Sequence, residues 1–223
     1  MDLKISPLSV QEETVRKLRE AIMIGYFAPG ERLVESSLCE RLGVSRNSLR
    51  EAMRVLAAER MVVLTPNRGP SVVTIEWADA EQLYETRILL ESELAALAAR
   101  HATPENLAAM QRALDAFAQA VESEDRLARI VSTTDFYEAL IVASRHRVMG
   151  DLIKGLVARI NVLRAKSMDN PGRSSHSLTE MTAMHDAIAR HDEPAARLAA
   201  TRHIEASRES ARVMFERARA QQG

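Results

Sequence analysis

The sequence predicts a mainly α fold: an N-terminal winged helix-turn-helix followed by a C-terminal antiparallel all-α bundle of about six helices. Two observations support this prediction. Between Val15 and Ile75 the pattern reads helix, short helix, turn, helix and two short strands, which is the layout of a winged helix-turn-helix. Beyond it Ala and Leu dominate, and aromatic residues make up only 4% of the chain, as expected of packed helices. We expect the first domain over residues 9–75 and the second over residues 79–219.

The helices of the first domain are placed by their capping and turn residues. The first helix should run from about Ser9 to Gly25, with Ser9 as N-cap and Glu12 in the capping-box position. A short helix over residues 35–42 and a Gly-Val turn follow. Ser45 is expected to cap the third helix, because its hydroxyl can accept a hydrogen bond from a backbone N–H of the first turn.

A β-hairpin is expected to close the first domain. The segments Met61–Thr65 and Ser71–Ile75 are rich in β-branched residues and flank the turn sequence Pro-Asn-Arg-Gly-Pro. Two such runs separated by proline and glycine predict two strands with a glycine at the tip of the loop. This hairpin would be the wing.

The second domain is predicted to contain six helices. Asp79 is expected to cap the first of them, which should end near His101. Prolines at 104 and 194 suit the first position of a helix, where the missing N–H has no partner to lose. The segment Met168–Ser177 should be a loop. The other five helices are expected over residues 104–122, 125–143, 146–168, 175–191 and 194–219.

Composition narrows the class of protein. The chain has one cysteine, Cys39, so an intramolecular disulfide is impossible, and we interpret this thiol as a small inert hydrophobe. The first ten residues lack the apolar core of a signal peptide, and no apolar run approaches the ~20 residues of a membrane helix. We therefore expect a soluble, cytoplasmic protein.

The net charge of −1 hides an uneven distribution. Residues 1–75 carry 11 Lys and Arg against 9 Asp and Glu, whereas the remainder carries 19 against 22. Between Arg46 and Arg68 there are five arginines and only two acidic residues, Glu51 and Glu59. A local basic strip of this kind indicates phosphate binding even when the total charge is near zero.

The start of the third helix carries the candidate DNA-reading residues. Arg46 and Arg50 are four residues apart and therefore share a helix face, with Asn47 and Ser48 at the adjacent positions. The N-terminal end of a recognition helix is where side chains reach base edges, and arginine is suited to bidentate contacts with guanine and with phosphate. Ser45 and the helix N-terminus can hold a phosphate through backbone N–H groups.

The wing supplies a second candidate contact. Arg68 and Gly69 lie at its tip, where glycine permits close approach of the backbone to the minor groove. The alternative is that these arginines only form a solvated face with Glu51. The combination of cap, spacing and wing favours DNA binding.

These residues lie in a segment that resembles the DNA-binding domain of the GntR family of bacterial regulators. The resemblance covers residues 11–75 and includes the stretch GYFAPGERLVESSLCERLGVSRNSLREAMRVLAAERMVVLTPNRGPSVV. One departure is Arg60, where the family usually has glycine after the third helix. The resemblance implies DNA contacts by Arg32, Ser45, Arg46, Ser48, Arg50 and Gly69.

Several predicted helices of the second domain carry a polar residue within an otherwise apolar stripe. Buried polar groups need partners, so these residues are expected to meet one another or a ligand inside the bundle. The alternative for any single one is a satisfied core residue. The polar residues are Arg87, Thr133, Tyr137, His185 and His203.

This half is similar to the FCD ligand-binding domain of the FadR-type branch of the same family, through YETRILLESELAALAA, DFYEALIVAS, EMTAMHDAI and TRHIEAS. The resemblance implies that Arg87 binds an effector carboxylate. It also implies a divalent metal held by an aspartate and three histidines. Here His185 and His203 match the last two ligands, but Thr133 stands for the aspartate and Tyr137 for the first histidine.

Two histidines leave a Zn²⁺ site two protein ligands short. We therefore expect a metal-free or weakly metallated pocket, in which Arg87 and the two histidines bind an anionic small molecule and Thr133 and Tyr137 donate hydrogen bonds to it. A metal held by His185 and His203 and completed by water or by an effector carboxylate is the alternative.

The sequence thus predicts a transcriptional regulator, a repressor, that binds a palindromic double-stranded operator as a homodimer. A small organic acid would control its operator affinity. The alternatives are a metal-responsive regulator of the same family, a structural DNA protein, and a helical enzyme with an accessory DNA-binding domain. We predict no catalytic residues, because the chain has no nucleophile elbow, no glycine-rich phosphate loop and no HExxH motif.

Overall fold

The computed structural model describes residues 10–220, and the chain divides between Ile75 and Glu76 into two compact units. The Ser9 cap therefore lies outside the described residues. The N-terminal unit contains α1 (Val10–Met23), α2 (Glu35–Leu42), α3 (Arg46–Ala58), β1 (Val62–Thr65) and β2 (Gly69–Val72). The C-terminal unit contains α4 (Trp77–His101), α5 (Pro104–Glu122), α6 (Arg126–Ser144), α7 (Arg147–Lys154), α8 (Val157–Met168), α9 (Arg173–Ala189) and α10 (Glu193–Ala220).

The core of the N-terminal unit forms where α1 packs against α3. Apolar residues three or four apart on each helix share one face and are buried there. Leu18 is 2% exposed, and Leu49 and Leu56 are fully buried. Each such burial contributes about 1.5–3 kcal/mol. This packing leaves the opposite face of α3 exposed.

The predicted turn between α2 and α3 is confirmed in detail. Gly43 ends α2 in the left-handed conformation, with φ +66°, which glycine adopts without steric cost. Ser45 caps α3, because the backbone N–H of Ser48 donates to its Oγ at 3.1 Å. The turn thereby sets the start of α3.

The hairpin is shifted from its predicted place. We expected the second strand over residues 71–75, but β2 begins at Gly69, which pairs with Thr65. The reason is a three-residue loop in which Asn67 takes a positive φ of 62°. The other edge of β2 is also occupied, since Leu33 N donates to Pro70 O at 2.9 Å.

Arg60 adopts the left-handed conformation just after α3, with φ 56°. Its N–H donates to Ala57 O at 3.0 Å, and Met61 N donates to Leu56 O at 2.9 Å. This is the Schellman arrangement that usually places glycine at the position of Arg60. The departure noted in the sequence therefore keeps the usual turn, at a steric cost to the arginine.

Replacing Arg60 with glycine is expected to stabilise the N-terminal unit by about 0.5–1 kcal/mol, because the left-handed strain is removed. Hydrogen–deuterium exchange of the α3 amides measures this change. Arg54→Gly is the matched control, since Arg54 is exposed inside α3 and glycine there should destabilise by about 1 kcal/mol. Faster α3 exchange in the Arg60→Gly protein would contradict the prediction.

The C-terminal unit packs α4 against α6, α9 and α10, and α5 against α6 and α9. Its apolar core includes Leu94, Phe117, Phe136, Met181 and Ile188, all fully buried. Gly150 allows α7 to approach α6 closely, because an added Cβ would lie 2.6 Å from Ile141 Cγ2. No helix in the described part of the chain is both long and apolar enough to cross a membrane.

Three sequence expectations for this unit were wrong. The predicted helix over 146–168 is two helices, broken at Gly155, because α7 packs on α4 and α6 whereas α8 packs mainly on α10. Asp79 does not cap α4, which begins at Trp77. The loop predicted over 168–177 is shorter, since α9 starts at Arg173 with its side chain buried. The bundle therefore has seven helices among the described residues.

Candidate DNA interface and effector site

The first turns of α3 present two arginines to solvent. Arg46 and Arg50 are both exposed, and no described residue forms a hydrogen bond or ion pair with Arg46. Arg50 is held by Glu35 of α2, with an Nη2 to Oε2 distance of 3.0 Å. Asn47 is also exposed, and Ser48 is half-buried. Arg46 is thus free to bind a phosphate or a base edge, whereas Arg50 is already oriented by a carboxylate.

The wing carries the other basic residues of the predicted interface. Arg68 is exposed in the hairpin loop. Gly69 has φ +80°, and a Cβ added there would lie 4.0 Å from Arg32 Nε. The structure therefore brings Arg32 next to the wing, which its distance along the sequence does not suggest. The alternative partner for the arginines, Glu51, pairs instead with Arg54.

A cluster of charged and aromatic side chains is buried in the C-terminal unit. Arg87 is fully buried and pairs with Glu91 one turn later on α4, with Nε to Oε1 at 2.8 Å and Nη2 to Oε2 at 3.2 Å. Burial alone would lower the pKa of Arg87, but the Glu91 carboxylate raises it overall. The same pairing lowers the pKa of Glu91 against the opposing effect of burial. Both groups are therefore charged, and each neutralises the other.

Tyr137 and Thr133 also lie within this cluster. Tyr137 is 3% exposed, and its hydroxyl makes no hydrogen bond of normal geometry. Burial raises its pKa, and the nearby Glu91 carboxylate raises it further. The Thr133 hydroxyl donates to Arg129 O at 2.7 Å. The Thr133 proton is therefore already used within its own helix, and its oxygen can only accept.

His203 belongs to a second charged group in the cluster. Its Nδ1 donates to Glu180 Oε2 at 2.8 Å, and Arg173 Nη2 donates to the same oxygen at 2.7 Å. Burial lowers the pKa of His203, so the ring is neutral. The centroid of the His203 ring lies 6.4 Å from the centroid of the Tyr137 ring. This second charged group therefore lies beside Tyr137, in the same cluster.

His185 is placed differently from the expectation. Its Nε2 donates to Leu107 O of α5 at 3.3 Å, and its Nδ1 faces Asp186 at 3.5 Å. None of the contacts among the described residues links it to Arg87, Tyr137 or His203. The hydrogen bonds of His185 and of His203 therefore run to different helices, α5 and α9.

Several members of the buried cluster were missed by the sequence analysis. Arg164 of α8 lies 4.5 Å from the centre of the Tyr137 ring, and it is three and four residues from the buried Asn161 and Ile160. Arg164 thus lies on the buried face of α8, and a polar residue at that spacing is the same signal that Arg87 gives on α4. The other missed members are Tyr84, Glu91, Arg173 and Glu180.

The residues present do not fit a metal ion of the kind that the resemblance implies. No group of three or more His, Cys, Asp or Glu suited to a metal occurs among residues 10–220. His203 and Glu180 are adjacent, but two protein donors are too few for a zinc site. A surface concavity at the α9–α10 connection, lined by residues 190–194, 197, 198 and 201, contains none of the predicted effector residues.

Two protein-family models match this chain, one in each of its two units. The family described as "Bacterial regulatory proteins, gntR family" matches residues 10–72, and the FCD domain matches residues 82–206. The uncharacterized HTH-type transcriptional regulator YdhC of Bacillus subtilis (strain 168) is 26% identical over 182 residues, covering 81% of each chain. The galactonate operon transcriptional repressor of Escherichia coli (strain K12) is 27% identical over 222 residues, covering 90% of this chain and 96% of that protein.

A solved structure shows the same fold. The structure of E. coli McbR/YncC matches with a TM-score of 0.80 and 22% identity, covering 95% of this chain and all of that one. This likeness shows that the two units have the same fold as that structure.

Proposed function

Because this chain belongs to the GntR family of transcriptional regulators and carries an FCD domain, we propose that it is a repressor whose affinity for a palindromic operator is controlled by a small organic acid. The observation that carries the proposal is the capped start of α3. There Arg46 is exposed without a partner among the described residues and Arg50 is oriented by Glu35. A helix start of this kind is the part that enters the major groove. The galactonate relative is named as a repressor, which supports repression of transcription rather than activation.

The effector part of the proposal rests on the buried cluster. A protein core without function favours apolar residues, because buried charges cost free energy unless they are paired and hydrogen-bonded. Here Arg87, Arg164 and Arg173 are all buried in one unit. Such a concentration of cationic donors favours an anionic ligand, and binding of that ligand to one conformation would change operator affinity by linkage.

Homodimer formation is the third part of the proposal. A single recognition helix reads only a few base pairs, and a two-fold axis doubles the site. The C-terminal unit exposes large apolar side chains on α4, α6 and α7, which suit an interface between copies. They are Leu89 at 72%, Val142 at 66%, Val148 at 61% and Leu152 at 55%.

Selection of duplexes from a genomic library by the full chain tests this function. We expect one fragment with two inverted half-sites to bind at least about 10³-fold more tightly than random duplex at physiological salt. A footprint with two-fold symmetry and two chains per duplex would support the homodimer. Equal affinity for random and selected duplex would exclude a sequence-specific regulator, and one chain per duplex would exclude the dimer.

A further inference from the structure

The buried cations of the C-terminal unit outnumber the carboxylates that neutralise them. Arg87 pairs with Glu91, and Arg173 pairs with Glu180. Arg164 is only 4% exposed, and no carboxylate lies within ion-pair distance of it among the described residues. The cluster therefore contains one positive charge in excess.

The neutral partners of Arg164 leave it incompletely satisfied. Its Nη1 donates to Asn161 Oδ1 at 2.9 Å, an oxygen that also accepts from Thr134 at 3.1 Å. Its Nε has no acceptor. Burial, and then the nearby charge of Arg87, lower the pKa of Arg164 to about 10. An unpaired buried guanidinium is unfavourable, and a bound anion would remove that cost.

Another buried donor in the cluster, Arg87 Nη1, also lacks an acceptor among the described residues. The buried hydroxyls of Tyr84 and Tyr137 lie near Ser207 and near Glu91, without a hydrogen bond of normal geometry to either. Arg164 lies 4.5 Å from the Tyr137 ring centre, and Arg87 lies 5.4 Å from the Tyr84 ring centre. Arg164 Nε and Arg87 Nη1 are thus two guanidinium donors without acceptors, and an ionised carboxylate has two oxygens that can accept from them.

We propose that Arg164 is the anchor for the effector, and that the effector is an organic acid with a single carboxylate. The proposal rests on the proposed effector control and names the ligand class. One negative charge on the ligand, together with the charges of Glu91 and Glu180, would balance the three buried arginines. A second carboxylate in the same surroundings would have no cation left to pair with. Arg87 cannot take this role alone, because Glu91 already occupies its Nε and Nη2.

The test measures thermal unfolding of the full chain in sodium acetate, propionate and benzoate, each compared with sodium chloride at equal ionic strength. At least one of these monocarboxylates should raise Tm by about 3–6 °C at about ten times its Kd. Disodium succinate and sodium phosphate should raise Tm less at the same concentration. No rise with any of the three monocarboxylates, or a larger rise with succinate or phosphate, would overturn the proposal.

Substitutions separate a binding role of Arg164 from a structural one. Arg164→Met should abolish the carboxylate response, Arg164→Lys should retain part of it, and the exposed control Lys154→Met should retain all of it. Without carboxylate, Arg164→Met should be at least as stable as the wild type, because an uncompensated buried charge has been removed. A lower Tm for this variant without ligand, or an unchanged carboxylate response, would overturn the assignment.

Operator binding distinguishes this proposal from the function on which it rests. If carboxylates raise Tm through Arg164 but leave operator affinity unchanged, the anchor is correct and the regulatory coupling is wrong. If the selected duplex binds but no carboxylate raises Tm, sequence-specific operator binding is supported and the assignment of Arg164 as the effector anchor is wrong.

Discussion

Replacing Arg46 with alanine is expected to weaken operator binding by at least about 30-fold without unfolding the protein. Arg46 is exposed in the first turn of α3, so the change removes no buried contact. One arginine contact to a base or phosphate contributes about 1–3 kcal/mol. A dimer loses two such contacts, which amounts to about 2–6 kcal/mol. Titration of the selected duplex followed by fluorescence anisotropy gives the two dissociation constants.

Arg50→Ala should weaken binding less than Arg46→Ala does. Glu35 already neutralises Arg50, so part of its interaction with DNA is offset by competition from that carboxylate. The matched control is Lys17→Ala, which removes the same unit of charge from the exposed face of α1 in the same unit. Operator affinity unchanged in both arginine variants would exclude the start of α3 as the reading element. A loss as large in the Lys17 variant would indicate a non-specific effect of charge.

Replacing Glu91 with glutamine is expected to destabilise the C-terminal unit by about 3–5 kcal/mol. The change leaves the size of the side chain almost unaltered but leaves the Arg87 charge buried without its partner, at 0% exposure. Breaking a buried ion pair from one side has this cost because the remaining charge is desolvated and uncompensated. The single tryptophan, Trp77, packs on Phe215 with ring centroids 5.5 Å apart, so its fluorescence in a urea titration reports unfolding of this unit.

Two further variants show whether the pair itself is responsible. Glu93→Gln removes a partly exposed carboxylate two residues along the same helix, where the ion pair with Arg197 should contribute only about 0–1 kcal/mol. The double variant Arg87→Met with Glu91→Leu should recover most of the lost stability, because neither charge remains buried. A cost for Glu91→Gln as small as that for Glu93→Gln would show that the buried pair is not as tightly coupled as its geometry indicates.

Local sequence signals were sufficient for most of the N-terminal unit. Ser45 and Gly43 determine where α3 starts and where α2 ends, because capping and positive φ depend on neighbours only a few residues away. The exposure of Arg46 follows from helix periodicity once Leu49 and Leu56 face the core. The approach of Arg32 to Gly69 could not be predicted in this way, because a pairing across the sheet joins residues far apart in sequence.

Local sequence signals were not sufficient for the C-terminal unit. The sequence by itself determined that Arg87, Thr133, Tyr137 and His203 face inward, because a polar residue in an apolar stripe is visible in a single helix. Only the tertiary structure decided which of these groups are already satisfied. Arg164 meets Tyr137 across two helices, and His203 of α10 meets Glu180 of α9. Whether a buried charge is neutralised depends on neighbours through space, since electrostatic energy depends on distance between groups and on burial, and neither can be read from position along the chain.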